Sequence, residues 1–339
     1  MEADLLFHRQ HRNLPSVKNG ILNTCDWPWH QLNIDSQGRL FVCGCDAWVP
    51  FSVGNVDDFK SFAEIFSSPV AQKIQTSITD KKFEYCDTRH CGVMQQNQTT
   101  LYDYYLHIGI DDSCNLHCPS CRKEKIFRSD ADWIDPRIDW IERINEWIEQ
   151  VPDNTVHIMI GANGDPFASL IYRHLIKRVD FAQNVTFSFR TNGLLMRKHL
   201  EEFTILPRIR NLDISIDAAT EETYAVTRRG GSWPILVENL KFAKQLKQRY
   251  DDLKLVGNFV VQKANFREIP AFAKLCSLYG LLPSYQILQD WGTYDNFDEQ
   301  CVHNPNSTDY KEFCDIVNDK SWQTPYMHVG ALYDHVKRI

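Results

Sequence analysis

Residues 156–164 read VHIMIGANG, a short apolar run that stops in a turn of small residues, and this stretch decides the fold. A run this short, closed by Gly and Asn, reads as a strand ending in a turn. The same punctuation recurs in VTFSFRTNG (185–193), LDISIDA (212–218), KLVGNFVVQ (254–262) and SYQILQDW (284–291), and YDYYLHIGIDD (102–112) supplies the first strand. Segments with helical spacing fill the gaps, as in PRIDWIERINEWIEQV (136–151) and PILVENLKFAKQLKQRY (234–250). Strand alternating with helix builds a parallel sheet. Six such strands predict an α/β fold, a partial (β/α)6 TIM-type barrel over residues 101–295, with chemistry at the carboxyl ends of its strands.

The flanks read differently. Residues 1–100 carry several turn signals, two Cys-rich patches and one expected short helix in FKSFAEIFSSPVAQKIQTSI (59–78). They read as a small Cys-rich domain that needs a metal staple. Residues 296–339 read as a tail packing on the barrel. The 339 residues are 43% hydrophobic, enough for a large core. A net charge of -7 with no long basic run argues against a nucleic-acid binder or a membrane-surface protein. The first residues, MEADLLFHRQHRNLP, do not read as a signal peptide, and no window approaches a membrane span, so a cytoplasmic protein is expected. Eleven cysteines are many for a reducing compartment, where clustered cysteines more often bind metal than form disulfides. Cys25, Cys43, Cys45, Cys86, Cys91, Cys114, Cys118 and Cys121 crowd the first part of the chain. Cys276, Cys301 and Cys314 are scattered and read as small buried hydrophobes.

LHIGIDDSCNLHCPSCRKEK (106–125) places Cys114, Cys118 and Cys121 in C-x3-C-x2-C spacing directly after a strand. Three thiolates on one loop can each take a different iron of a cubane 4Fe-4S cluster and leave the fourth iron open. Here the sequence resembles the radical S-adenosylmethionine (SAM) superfamily. The resemblance implies that SAM chelates the open iron, and that one electron from the cluster splits SAM into methionine and a 5′-deoxyadenosyl radical that abstracts hydrogen from substrate. The family's aromatic residue before the third cysteine is replaced by Ser120. A zinc site is the other reading of the loop, with His117 as a fourth ligand.

Downstream motifs follow the same resemblance. Gly161-Ala162-Asn163-Gly164-Asp165-Pro166 resembles the superfamily's Gly-Gly-Glu-Pro turn, which implies that Asn163, Gly164 and Asp165 meet the amino end of SAM. RTNG (190–193) ends the third strand, and LDISIDAATEETYAVTRRGGSW (212–233) follows. Ser215 and Asp217 alternate with Ile214 and Ile216, so both polar groups share one face of the strand, suited to hydroxyl recognition. Arg228 or Arg229 offers a donor fork for a carboxylate. Asn258, with VVQKANFREI (260–269), resembles the region that brackets the adenine.

Cys25, Gly38 and Cys43 form a C-x12-G-x4-C pattern, followed by GNVDDF (54–59) and later by Cys86-x4-Cys91. This is similar to the SPASM and twitch domains, which bind auxiliary 4Fe-4S clusters in many peptide-modifying radical enzymes and usually follow the barrel; here the elements precede it. The resemblance implies one auxiliary cluster on Cys25, Cys43, Cys86 and Cys91, with Cys45 the rival of Cys43. A structural zinc suits the same four-thiolate cage. The implied activity is oxidation or cross-linking of a C–H site in a ribosomally made peptide, with a flavodoxin or ferredoxin as electron donor. The alternatives are oxidation or rearrangement of a sugar or other small metabolite, and, from another class, a non-catalytic zinc-stabilised binding protein.

Overall fold

The structure, a computed structural model, describes residues 25–44, 51–86, 101–161, 163–180, 182–323 and 332. Cys45 and Cys91 lie outside the described residues. The chain divides into two compact units, residues 1–111, 129–163 and 174–186 forming the first and residues 112–128, 164–173 and 187–339 the second.

In the first unit β1 (Gln31–Ile34), β2 (Arg39–Phe41) and β3 (Gly54–Asn55) form an antiparallel edge. β1 also pairs in parallel with β4 (Tyr104–Ile108), which pairs in parallel with β5 (Val156–Ile160). The N-terminal strands therefore continue the β4–β5 sheet. The turn between β1 and β2 explains Gly38, whose φ is +73° and where a Cβ would fall 2.7 Å from the ring of Trp140. Only glycine accepts both conditions.

The one helix expected over residues 59–78 is two, α1 (Phe62–Phe66) and α2 (Pro69–Thr79). Ser68 is extended and its hydroxyl accepts the Ala71 N–H, while Pro69 opens the next helix, so a Ser-Pro step resets the chain. α3 (Ala131–Glu149) begins upstream of Pro136 because Asp130 caps it through the Trp133 N–H at 2.9 Å. The apolar stripe of α3 buries Trp140, Ile144, Trp147 and Ile148. Arg137, also buried, donates to the carbonyls of Ile110, Trp133 and Ser36 at 2.8, 2.9 and 2.5 Å and lies over the Trp133 ring. One side chain thus joins the helix, the end of β4 and the β1–β2 turn.

The second unit holds the strand order β6-β7-β8-β9, all parallel: β6 (Val185–Thr191, of which Phe187–Thr191 lie in this unit), β7 (Ile209–Ser215), β8 (Lys254–Val261) and β9 (Leu282–Ile287). Helices α4 (Glu221–Thr227), α5 (Trp233–Arg249) and α6 (Ile269–Tyr279) alternate with them. Alternation sorts the strands into two faces. Phe189, Leu212, Ile214 and Phe259 are fully buried on one. The other is polar: Asn211 donates to Ser188 at 3.0 Å, Arg190 meets Asp213 at 3.5 Å, and Ser215 lies opposite Asn258. In the C-terminal segment Trp322 packs edge-on against Tyr285 of β9, and Glu312 and Asp309 hold Arg267. Among the described residues no helix is long and apolar enough to cross a membrane.

Candidate functional site

The three-cysteine loop is closed by its own chain. At its two ends Asp112 and Arg128 form a bidentate fork, Nε to Oδ1 and Nη2 to Oδ2 both at 2.8 Å. Inside the fork Cys114 and Ile126 exchange backbone hydrogen bonds of 2.7 and 3.3 Å. At the tip the Cys118 carbonyl accepts from the N–H groups of Cys121 and Arg122, at 2.9 and 3.0 Å. His117 is fixed by its N–H to the Arg229 carbonyl, 3.2 Å. Its ring presses on Gly230, whose φ is +85° and where a Cβ would fall 2.9 Å from Nδ1.

Each of the three sulfurs faces an N–H donor. Asn192 Nδ2 is 3.9 Å from Cys114 Sγ, Arg228 Nη1 is 3.7 Å from Cys118 Sγ and Arg122 Nε is 3.4 Å from Cys121 Sγ. Two of the three donors are guanidinium groups. Burial pushes the Cys114 thiol up to about 12, with Asp165 adding and Arg122 opposing. It pushes the Cys118 thiol up as well, against the pull of Arg228. Such thiols ionise when a metal displaces the proton, and the donors around them are those that stabilise cluster thiolates. The residues present therefore fit an iron-sulfur cluster.

Asp165, predicted to touch a cofactor amine, is 1% exposed and has both carboxylate oxygens filled. Oδ1 accepts from the N–H groups of Phe167 and Ala168, and Oδ2 from the Thr191 hydroxyl and the Asn192 N–H, both at 2.8 Å. Burial pushes its carboxyl up, and these four donors pull it down. Its own N–H binds the Ser113 carbonyl at 2.8 Å. Asp165 thus ties the turn to the end of β6 and to the cysteine loop. Gly164 is half-buried; Asn163, exposed, donates to the Gly109 carbonyl at 2.8 Å.

Asp217 sits at φ +55° just past β7 and is 1% exposed. Its Oδ1 accepts the Val260 N–H at 2.7 Å and its Oδ2 meets Arg228 Nη2 at 2.8 Å. Burial works against the Arg228 charge, but Asp217 and Cys118 outweigh it and hold the guanidinium protonated. The two candidate arginines separate here: Arg228 turns inward, while Arg229 is exposed and contributes its carbonyl to His117. Asn258 is 4% exposed; its carbonyl accepts from Ile216 and Asp217, and its Nδ2 meets no protein acceptor. Arg228 Nε, Tyr224 Oη and Gln262 Nε2 are likewise buried without a protein partner. Buried polar atoms left without a protein partner are ones that a polar ligand can satisfy.

The N-terminal cysteines are placed otherwise. Cys25 lies ahead of a short turn at Trp27–Trp29, Cys43 is buried beyond β2, and Cys86 is half-buried beyond α2. A Cβ on Gly44 would fall 1.6 Å from Asn33 Nδ2, so a larger residue after Cys43 would require the Asn33 side chain to swing away. Among the described residues no three His, Cys, Asp or Glu side chains, those of Cys114, Cys118 and Cys121 included, converge as ligands of a single metal ion; the thiolates of a cubane each take a separate iron. Completing a four-thiolate set needs Cys91 or Cys45, outside the described residues.

Comparison with known proteins adds the family. The profile of the Radical SAM superfamily matches residues 110–276, and that of SPASM, an iron-sulfur cluster-binding domain, matches residues 25–92. The chain belongs to the radical SAM superfamily. Its radical SAM domain implies a 4Fe-4S cluster and SAM, and its SPASM domain an auxiliary iron-sulfur cluster. A GTP 3',8-cyclase from Alkaliphilus metalliredigens (strain QYMF) is 28% identical over 173 residues, 50% of this chain and 52% of that protein. The chain thus spans about half the length of the curated relative it matches. Among solved structures, Streptococcus suis SuiB bound to precursor peptide SuiA is 15% identical, with 85% of this chain and 51% of that one covered at a TM-score of 0.40. Native anSMEcpe with bound AdoMet is 16% identical, with 56% and 55% covered at a TM-score of 0.37.

Three residues of the radical SAM domain escaped the reading of the sequence as site residues. Thr191 and Asn192 fill Asp165, and Arg122 donates to Cys121. The signals were present: RTNG closes a strand at its carboxyl end, and Arg122 directly follows a ligand-type cysteine.

Proposed function

We infer that this radical SAM enzyme binds the catalytic 4Fe-4S cluster through Cys114, Cys118 and Cys121, and oxidises or cross-links a C–H site in a ribosomally made peptide. One observation carries the ligand reading: all three sulfurs of a self-closed loop face N–H donors, two of them guanidinium groups. When bound, cluster and SAM together supply a 5′-deoxyadenosyl radical, with the electron coming from a flavodoxin or ferredoxin. The protein's part is to orient. Arg228 Nε and Asn258 Nδ2, buried and open, hold polar groups of SAM, with Ser215 beside Asn258 on the same strand face. Backbone at Asn163 and Gly164 approaches the amino end, and exposed Arg229 contributes through its carbonyl. Asp165 and Asp217 act by holding Asn192 and Arg228 in place, since their oxygens are already bonded.

Cys25, Cys43, Cys86 and Cys91 would hold the auxiliary cluster, which as a second 4Fe-4S centre would supply one-electron redox chemistry beside the substrate. The peptide assignment is supported by the SPASM match, as such domains accompany many peptide-modifying radical enzymes. A second reading, a nucleotide or other small metabolite, is favoured by the name of the curated relative and by the polar strand face around Arg190 and Asp213.

The test is incubation of reconstituted enzyme, SAM and dithionite with, in separate reactions, a pool of deuterated peptides and deuterated GTP. Deuterium appearing in 5′-deoxyadenosine from the peptides alone supports the peptide reading. Deuterium from GTP alone overturns it in favour of the second.

A further inference from the structure

The contact between Asp217 and Arg228 does more than hold a cofactor. Asp217 adopts a left-handed backbone conformation that Asp and Asn tolerate better than other side chains. That conformation keeps its carboxylate buried, with one oxygen on the Val260 N–H and the other on Arg228 Nη2. The other terminal nitrogen of the same guanidinium, Nη1, reaches Cys118 Sγ. A planar fork with one tine in a carboxylate and the other on a sulfur cannot rotate away from either. The chain around it is fixed too: the Arg228 N–H binds the Tyr224 carbonyl at the end of α4, and Gly231 returns to the Arg228 carbonyl at 2.9 Å.

We propose that Asp217 locks Arg228 as a charge-assisted donor to Cys118, and that this contact raises the reduction potential of the catalytic cluster. The proposal rests on the reading that Cys118 is a cluster ligand. One-electron reduction takes a 4Fe-4S core from the 2+ to the 1+ state and adds negative charge, supplied by the external donor. A cation and an N–H beside a ligating sulfur stabilise the more negative state, and do so more strongly where water is excluded. Arg228 is the donor of the three with both properties: Cys121, the partner of Arg122, is exposed, and Asn192 is neutral. Arg228 is thus a positioning residue whose effect is read in the electron-transfer step.

The experiment is an EPR-monitored redox titration of reconstituted holoenzyme without SAM, on proteins of equal iron and sulfide content. At a fixed potential Arg228→Gln lowers the ratio of reduced to oxidised catalytic cluster about tenfold, equivalent to about 59 mV for a one-electron couple. In an Asp217→Asn background, where Asn preserves the backbone but releases the guanidinium, Arg228→Gln changes the ratio less than about twofold. An unchanged potential in Arg228→Gln overturns the proposal, and an equal shift in both backgrounds overturns the role of Asp217. A measurement that leaves Asp217 and Arg228 unmutated stands apart from any folding defect there: in an Arg122→Lys protein with nitrogen-15 guanidino-labelled arginine, pulsed EPR of the reduced cluster shows a nitrogen-15 coupling. Its absence overturns the contact. Iron analysis separates the two readings, since a wild type without iron sinks the ligand assignment, whereas full iron with no coupling sinks the proposal alone.

Discussion

The three-cysteine loop and the N-terminal cysteine region, both proposed to hold iron on thiolates, are built in opposite ways. Around Cys114, Cys118 and Cys121 the protein closes the loop itself, with the Asp112–Arg128 fork, the Cys114–Ile126 exchange and the tip bonds at Cys118. Asp165 then joins the loop's Ser113 to the end of β6. In the N-terminal region the cysteines stand outside the regular elements: Cys25 ahead of its short turn, Cys43 beyond β2 and Cys86 beyond α2. Among the described residues those three lie in no paired strand. If the proposed metal is what draws them together, binding and local folding are one event there, whereas the three-cysteine loop is closed by its own hydrogen bonds.

The contrast makes four predictions. Anaerobic removal of iron from the holoprotein lowers amide protection over residues 25–86 by about a hundredfold or more, and lowers it much less over residues 112–128; hydrogen exchange with mass spectrometry reads both, and equal loss in both removes the contrast. Asp165→Ala strands four donors in the loop's support and costs about 3–5 kcal/mol by urea unfolding. Asp165→Asn, with its shape kept, costs less. Gly38→Ala, at positive φ against the Trp140 ring, costs about 1–3 kcal/mol, and Trp140→Leu in the same chain recovers part of it if the clash is the cause. The smallest effect is electrostatic. The Asp103 carboxyl is held below its ordinary value by the Thr155 N–H and hydroxyl, at 2.7 and 2.9 Å. Its folded pKa is depressed, so its contribution is present above the unfolded value and lost as pH falls through the folded one. Exposure limits it to about 0.5 kcal/mol, read as a shallower acid limb in Asp103→Asn.

The strands and the three-cysteine loop were legible because each announces itself locally, through period and spacing. VHIMI and VTFSFRT are strands in the structure at Val156–Ile160 and Val185–Thr191. The break between α1 and α2 was written in Ser67-Ser68-Pro69 and passed over because the apolar spacing runs through it. The early start of α3 was hidden by Pro136, which reads as a helix opening when the Asp130 cap upstream goes unread. What a single sequence does not display is partnership across distance. Asp165 and Asp217 were picked out by type and position, but that they bond Asn192 and Arg228 could not be read in one dimension. The parallel pairing of β1 with β4 lies beyond local pattern for the same reason.

Cys114, Cys118 and Cys121 are proposed to hold a catalytic cluster separate from one on the N-terminal cysteines. Iron, sulfide and zinc per chain, measured after anaerobic reconstitution of the wild type and of a triple Cys114→Ala, Cys118→Ala, Cys121→Ala variant, test this assignment together with SAM cleavage. About eight irons are expected to fall to about four, with 5′-deoxyadenosine formation lost. Zinc without iron in both proteins, or undiminished SAM cleavage in the variant, contradicts it.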